Sequence, residues 1–150
     1  MILVDTNVIL DVVGKDPIWA DWSRLQLNAS ALQDAIGINE IVYAELSVGY
    51  RRYQDLDEFI ARAGLVLIAT PRPALFLSGK AFQRYRRTGG VKNGVLSDFL
   101  IGAHAIVTNS PLITRDPRRY RSYFPGIALI TPNVNQNAAQ ESRVITPTDC

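Results

Sequence analysis

The chain has 150 residues, 47% hydrophobic and 20% charged, which suits one globular core and is too short for two. That composition excludes a disordered chain, and no apolar run nears the ~20 residues of a membrane-spanning helix. A lone cysteine, Cys150, excludes an internal disulfide and a thiolate metal cage. The opening Met1-Ile2-Leu3-Val4-Asp5 has no basic n-region, so it is not a secretory signal and the expected compartment is the cytoplasm. The net charge of +2 hides an asymmetry: residues 1–50 carry a net −5 and residues 51–121 a net +8. Thirteen of the 16 cations are arginine, whose flat fork suits phosphate. A solvated basic face is the commoner origin of such a run, and nucleic acid contact is the functional one.

Ile2-Leu3-Val4 reads as a buried parallel strand, followed by the capping residues Asp5-Thr6-Asn7 and a short helix from Val8 to Val13 closed by Gly14. Asp16-Pro17 opens a helix to about Leu32, with Trp19, Trp22, Leu25 and Ala29 along one stripe. Ala35 to Ile38 reads as a strand, and Asn39 caps a helix from Glu40 to Tyr50. A helix over Asp55 to Arg62, a strand from Leu65 to Ile68 and a helix over 71–87 come next. Gly89-Gly90 breaks the chain, and Ser97 is expected to cap a helix from Asp98 to Thr108. Leu112-Ile113-Thr114, a helical turn from Pro117 to Tyr123 and a last strand from Ile127 to Ile130 complete the series. Strands alternating with helices predict an α/β fold, a single domain with a central parallel sheet flanked by helices. Residues 133–150 are polar and without period, and read as a flexible tail after a domain of residues 1–132.

Parallel sheets bind ligands beyond the carboxyl ends of their strands. Asp5 and Asp116 follow two such strands, although each could equally be a helix cap. Glu45 shares a helical stripe with Ile41 and Val48, has no basic neighbour at helical spacing, and is expected to point inward. Asp98 lies above Ile101, Gly102 and Ala105, where small residues allow a close helix approach; a favourable charge at a helix start is the plain alternative. If these acids converge they repel, at ~4 kcal/mol for a pair ~4 Å apart with an effective dielectric near 20. A divalent cation resolves the conflict, and oxygen-only ligands select Mg²⁺ or Mn²⁺ over zinc. His104, the sole histidine, sits about 120° round the helix from Asp98 and reads as structural or solvent-exposed. A carboxylate-held Mg²⁺ beside arginines suits phosphodiester hydrolysis.

Val4-Asp5-Thr6-Asn7-Val8, Tyr43-Ala44-Glu45-Leu46, the segment Leu96-Ser97-Asp98-Phe99 through Ala105, and Ile113-Thr114-Arg115-Asp116 resemble the PIN-domain nucleases. More narrowly, the chain looks like a VapC-type toxin of a type II toxin–antitoxin system, over about residues 1–132. The resemblance implies a PIN-like fold and Mg²⁺-dependent endoribonuclease activity on an RNA substrate, silenced by a cognate VapB-type antitoxin. It implies Asp5 and Asp98 as direct metal ligands, with Glu45 and Asp116 completing the catalytic set through water or a second ion. Asn7 and Thr114 match supporting positions that orient the acids. The resemblance also implies a homodimer. Arg84, Arg86 and Arg87, ahead of Gly89-Gly90, are candidate RNA-binding residues, with a solubilising helix end as the competing reading. A PIN-like RNA-binding module without cleavage remains the alternative function. A phosphotransfer or receiver domain fits poorly, because Asn7 stands where a second acid would be wanted.

Overall fold

The computed structural model describes residues 1–91 and 95–132. In chain order the elements are β1 (Ile2–Val4), α1 (Thr6–Val13), α2 (Ala20–Ala31), β2 (Ile36–Asn39), α3 (Glu40–Ser47) and α4 (Tyr53–Arg62). They continue with β3 (Leu65–Ile68), α5 (Arg72–Arg87), α6 (Val95–Val107), β4 (Leu112–Ile113), α7 (Arg118–Tyr123) and β5 (Leu129–Ile130). The strands form one sheet in the order β3-β2-β1-β4-β5, every neighbouring pair parallel. The α/β class and the parallel sheet read from the sequence are therefore those of the structure.

The chain winds outward from β1 through β2 to β3, then returns to the far side of β1 to lay down β4 and β5. Connections thus leave the β1–β4 boundary in opposite directions, and that switch point opens a crevice at the carboxyl ends of the strands. Register fixes its floor: Leu3 pairs with Leu112 and Val4 with Ile113, so the residues after each strand emerge side by side. Ile2, Leu3 and Val4 are all buried, as are Leu112 and Ile113, which is what a strand covered on both faces requires. Edge strand β3 differs, with Val66 and Leu67 exposed.

Local signals act much as the sequence suggests, with informative departures. Asn39 caps α3 by accepting from the backbone N–H groups of Ile41 and Val42, both at 3.1 Å. Asp16 caps too, accepting from Ile18 N at 2.9 Å and Trp19 N at 2.8 Å. The helix proper begins only at Ala20, however, and only the tryptophan end of the expected stripe, Trp19 and Trp22, packs on the core. Leu25 is 62% exposed, whereas Trp22, Ser23 and Ser30 are buried, because Ser23 must reach the buried Asp11 on α1. Ser97 is not a cap: α6 starts at Val95, which places Ser97 and Asp98 inside its first turn and a half. The tail assigned to 133–150 lies outside the described residues. Among those described, no helix is long and apolar enough to cross a membrane.

Candidate metal centre

Asp5 stands at the N-cap position of α1, yet its side chain makes no capping hydrogen bond. Its backbone N–H donates to the carbonyl of Ile113 at 2.9 Å, tying the end of β1 to β4. The carboxylate is turned instead into the crevice, where Oδ2 accepts from Thr114 Oγ1 at 2.8 Å and from Tyr120 Oη at 2.9 Å. Asn7 Nδ2 approaches the same oxygen at 3.4 Å. Plain helix capping therefore does not explain Asp5. Burial pushes its pKa up to about 6, against the lowering effect of the Thr114 and Tyr120 hydrogen bonds; the charges of Asp98 and Glu45 push the same way as burial.

Asp98 enters from α6. Burial raises its pKa, partly offset by Arg119, whose Nη1 contacts Asp98 Oδ2. Glu45 enters from α3 and accepts from Thr6 Oγ1 at 2.8 Å. It does not point into the core, contrary to expectation: Glu45 and Val48 are exposed, and α3 buries Val42 and Leu46 instead. The stripe that carries Glu45 forms a wall of the crevice rather than a packed face. Asp116 follows β4, is exposed, and donates its backbone N–H to Thr114 Oγ1 at 3.2 Å. All four acids line one cleft of about 980 Å³ at the carboxyl ends of the strands.

Residues of α7, expected from the sequence only as a helical turn, supply much of the cleft's order. Three consecutive side chains engage three different acids: Arg118 Nε lies 3.4 Å from Asp116 Oδ1, Arg119 contacts Asp98, and Tyr120 holds Asp5. An aromatic cluster seats this short helix, with Phe99 of α6 against Tyr123 at 4.8 Å and against Phe124 at 6.3 Å. Gly102 permits the approach. A Cβ there would lie 2.5 Å from Phe124 Cδ2 and 3.0 Å from Tyr120 Cδ1, so only glycine lets α6 and α7 meet at this distance. No local pattern marks Tyr120; its burial, and so its hydroxyl's need of a partner, follows from the packing of α7 on α6. A second unforeseen link is the pair of Arg115 with buried Asp11, at 2.9 Å, which braces the loop between Thr114 and Asp116 against α1.

The remaining candidates separate. Arg84 stacks on Tyr123 at 4.4 Å and donates to the Ser122 carbonyl at 3.3 Å, so it belongs to the rim of the acid cleft. Arg86 and Arg87 line a different, shallower depression with Gly79 and Phe82. His104 is buried near Asn39, whose Nδ2 lies 3.4 Å from its Nδ1, and burial lowers its pKa; it is structural.

Among the described residues, no three acid, histidine or cysteine side chains gather tightly enough to hold an ion as they stand. The donor chemistry nevertheless fits a hard divalent cation. Every candidate ligand is an oxygen, and Asn7 Oδ1 is a buried acceptor with no hydrogen-bond partner beside Asp5. A cation also already leans on Asp98, in the form of Arg119.

A parallel α/β sheet with an acid-lined crevice at its switch point puts the candidate site at the carboxyl ends of the strands. The sequence profile of the PIN domain matches residues 2–124, and the chain belongs to that family of nucleases, which generally use a divalent metal. Comparison with curated protein sequences gave no match. Among solved structures, the chain is 26% identical to a chain of VapBC2 from Rickettsia felis bound to a DNA fragment from its promoter, with a TM-score of 0.67 over 89% of this chain and 100% of that one. It is 22% identical to a chain of DNA-bound VapBC from Salmonella typhimurium, with a TM-score of 0.62 over 87% and 98%. FitAcB from Neisseria gonorrhoeae is similar at 22% identity and a TM-score of 0.62, over 87% and 96%.

Proposed function

We propose that this PIN domain hydrolyses RNA phosphodiester bonds with Mg²⁺ or Mn²⁺ held by Asp5 and Asp98, as the toxin of a toxin–antitoxin pair. The observation that carries the reading is Asp5: a buried carboxylate, its pKa pushed up to about 6 by burial, that caps nothing and faces the other acids. Such a group opposes its own ionisation unless a cation joins it. When bound, a divalent cation supplies Lewis acidity, making water a better nucleophile and offsetting charge that grows on the phosphate.

The chain's own residues perform the rest. Thr114 and Tyr120 fix one oxygen of Asp5, leaving the other available as a ligand. Asn7 orients Asp5 from the side. Glu45, steadied by Thr6, stands on the cleft wall to accept a proton from the attacking water, and Asp116 completes the set at the opposite lip. Arg118 and Arg119 of α7, with Arg84 at the rim, line the approach for a polyanion, and Arg86 and Arg87 stand in a separate depression along α5. A VapB-type antitoxin partner is supported by the VapBC complexes to which the chain is similar, and a homodimer by the family resemblance.

The test is an assay on RNA of the purified chain. Cleavage in Mg²⁺ or Mn²⁺, lost in EDTA and indifferent to a zinc-selective chelator, supports the proposal. Metal-dependent RNA binding with intact product would favour the binding module instead. Sedimentation giving only monomer at micromolar concentration would remove the homodimer.

A further inference from the structure

Taking Asp5 and Asp98 as cation ligands, we propose that Arg119 is a displaceable counter-ion: it holds Asp98 while the site is metal-free and passes to an RNA phosphate when a divalent cation binds. Arg119 and Asp98 are half-buried together, with 37% and 31% of their side chains exposed. Two groups so placed are only partly solvated, and the acid gains from a cation whichever ion provides it. Guanidinium cannot lose its proton, so it cannot become neutral when a second cation arrives. It must move, or it opposes the incoming charge at close range.

Arg119 has a second partner besides the acid. While paired with Asp98 its guanidinium carbon also lies 5.9 Å from the Tyr85 ring centroid, so the α5 side of the cleft can keep the cation once the acid is released. From the cleft wall the fork presents paired donors of the geometry that phosphate accepts. Neighbouring cations are built differently. Arg118 is 89% exposed and pairs only with Asp116, two residues away. Arg84 is anchored by Tyr123 and the Ser122 carbonyl, and contacts no acid of the site. Arg119 alone of these three joins an acid of the cation site to the surface a phosphate chain would cross.

Calorimetric titration of the metal-free, full-length protein with Mn²⁺, in the absence of RNA, tests the exchange. Arg119→Gln should bind Mn²⁺ roughly tenfold more tightly than wild type, because a charge-assisted bond no longer competes for Asp98. Its kcat/KM on an RNA oligonucleotide should nevertheless fall, with a log–log salt slope flatter by about 0.7 for the lost phosphate contact. Arg119→Lys should bind Mn²⁺ like wild type but lose kcat/KM, since it keeps the charge without the fork. A folded Arg119→Gln that binds Mn²⁺ as weakly as wild type, or more weakly, overturns the proposal. Should that variant not fold, full kcat/KM in Arg119→Lys overturns it. If wild type itself takes up no Mn²⁺, the cation reading of Asp5 and Asp98 falls first and this inference falls with it.

Discussion

Tyr120 donates its phenol to Asp5 across 115 positions of sequence, at 2.9 Å and wholly inside the protein. Burial raises the phenol's pKa well above its ordinary value, so it remains a donor at any working pH. The bond joins the end of β1 to α7 and so couples the integrity of the cleft to a helix of six residues.

Removing that hydroxyl isolates its effect. Tyr120→Phe keeps the ring packed beside Gly102 but strips one donor from a buried carboxylate. The expected loss is about 1–2 kcal/mol of stability, read from urea unfolding at pH 7. Cleavage should fall as well, because Asp5 becomes freer to rotate. Unaltered stability would mean that Asp5 finds another donor.

Asp5 also sets a pH dependence. Its folded pKa of about 6 exceeds the ordinary 3.8, so the native chain holds this proton when the unfolded chain has released it. The metal-free protein should therefore lose stability as pH rises from about 4 through 6, by about 3 kcal/mol from this group. Asp5→Asn should flatten that fall and be more stable than wild type at pH 7.5 in EDTA, the two converging near pH 4. Urea midpoints across this range check it; parallel curves for the two proteins would refute the assignment.

Gly102 tests the seating of α7. Gly102→Ala places a methyl against Phe124 and Tyr120 at distances that only movement relieves. A loss of about 1–3 kcal/mol is expected, as for overpacking elsewhere. Activity should decline more than stability, since Tyr120 and Arg119 shift with the helix. A fully active variant would show that α7 need not be held so closely.

The brace behind the site is open to the same approach. Asp11 is 3% exposed and accepts from Ser23 Oγ at 2.9 Å as well as pairing with Arg115. Asp11→Ala should cost about 3 kcal/mol, the low end for breaking a buried pair, because Arg115 retains some access to water. Denaturation together with the cleavage rate would show whether the loop bearing Asp116 loosens too.

Much of this was legible in the sequence because the determinants are local. Ile2-Leu3-Val4 and Leu65 to Ile68 are short apolar runs between breakers, and Asn39 is a cap followed by a helix. Asp5, Glu45, Asp98 and Asp116 could be linked because each sits at a strand end or on a helix face that the α/β alternation brings to one edge. What escaped depends on tertiary packing. The partner of Tyr120 is fixed by how α7 lies on Phe99 and Gly102, and no spacing within α7 encodes that. Nothing local marks Asp11 on α1, because its partners Ser23 and Arg115 come from α2 and from the loop after β4. The start of α6 was misplaced because Ser97 resembles a cap, whereas the helix already runs from Val95.

The most direct test of a shared carboxylate metal site is thermal melting of wild type, Asp5→Asn and Asp98→Asn, with and without Mg²⁺, beside an RNA cleavage assay. Without metal Asp5→Asn should be at least as stable as wild type, since it relieves repulsion in the cleft, whereas Asp98→Asn also gives up the pair with Arg119 and should gain less. With Mg²⁺ only wild type should gain the full stabilisation of linked binding, RT ln(1 + [Mg²⁺]/Kd), and only wild type should cleave. Cleavage retained by Asp98→Asn, or a Mg²⁺-induced shift in both variants equal to that of wild type, would contradict it.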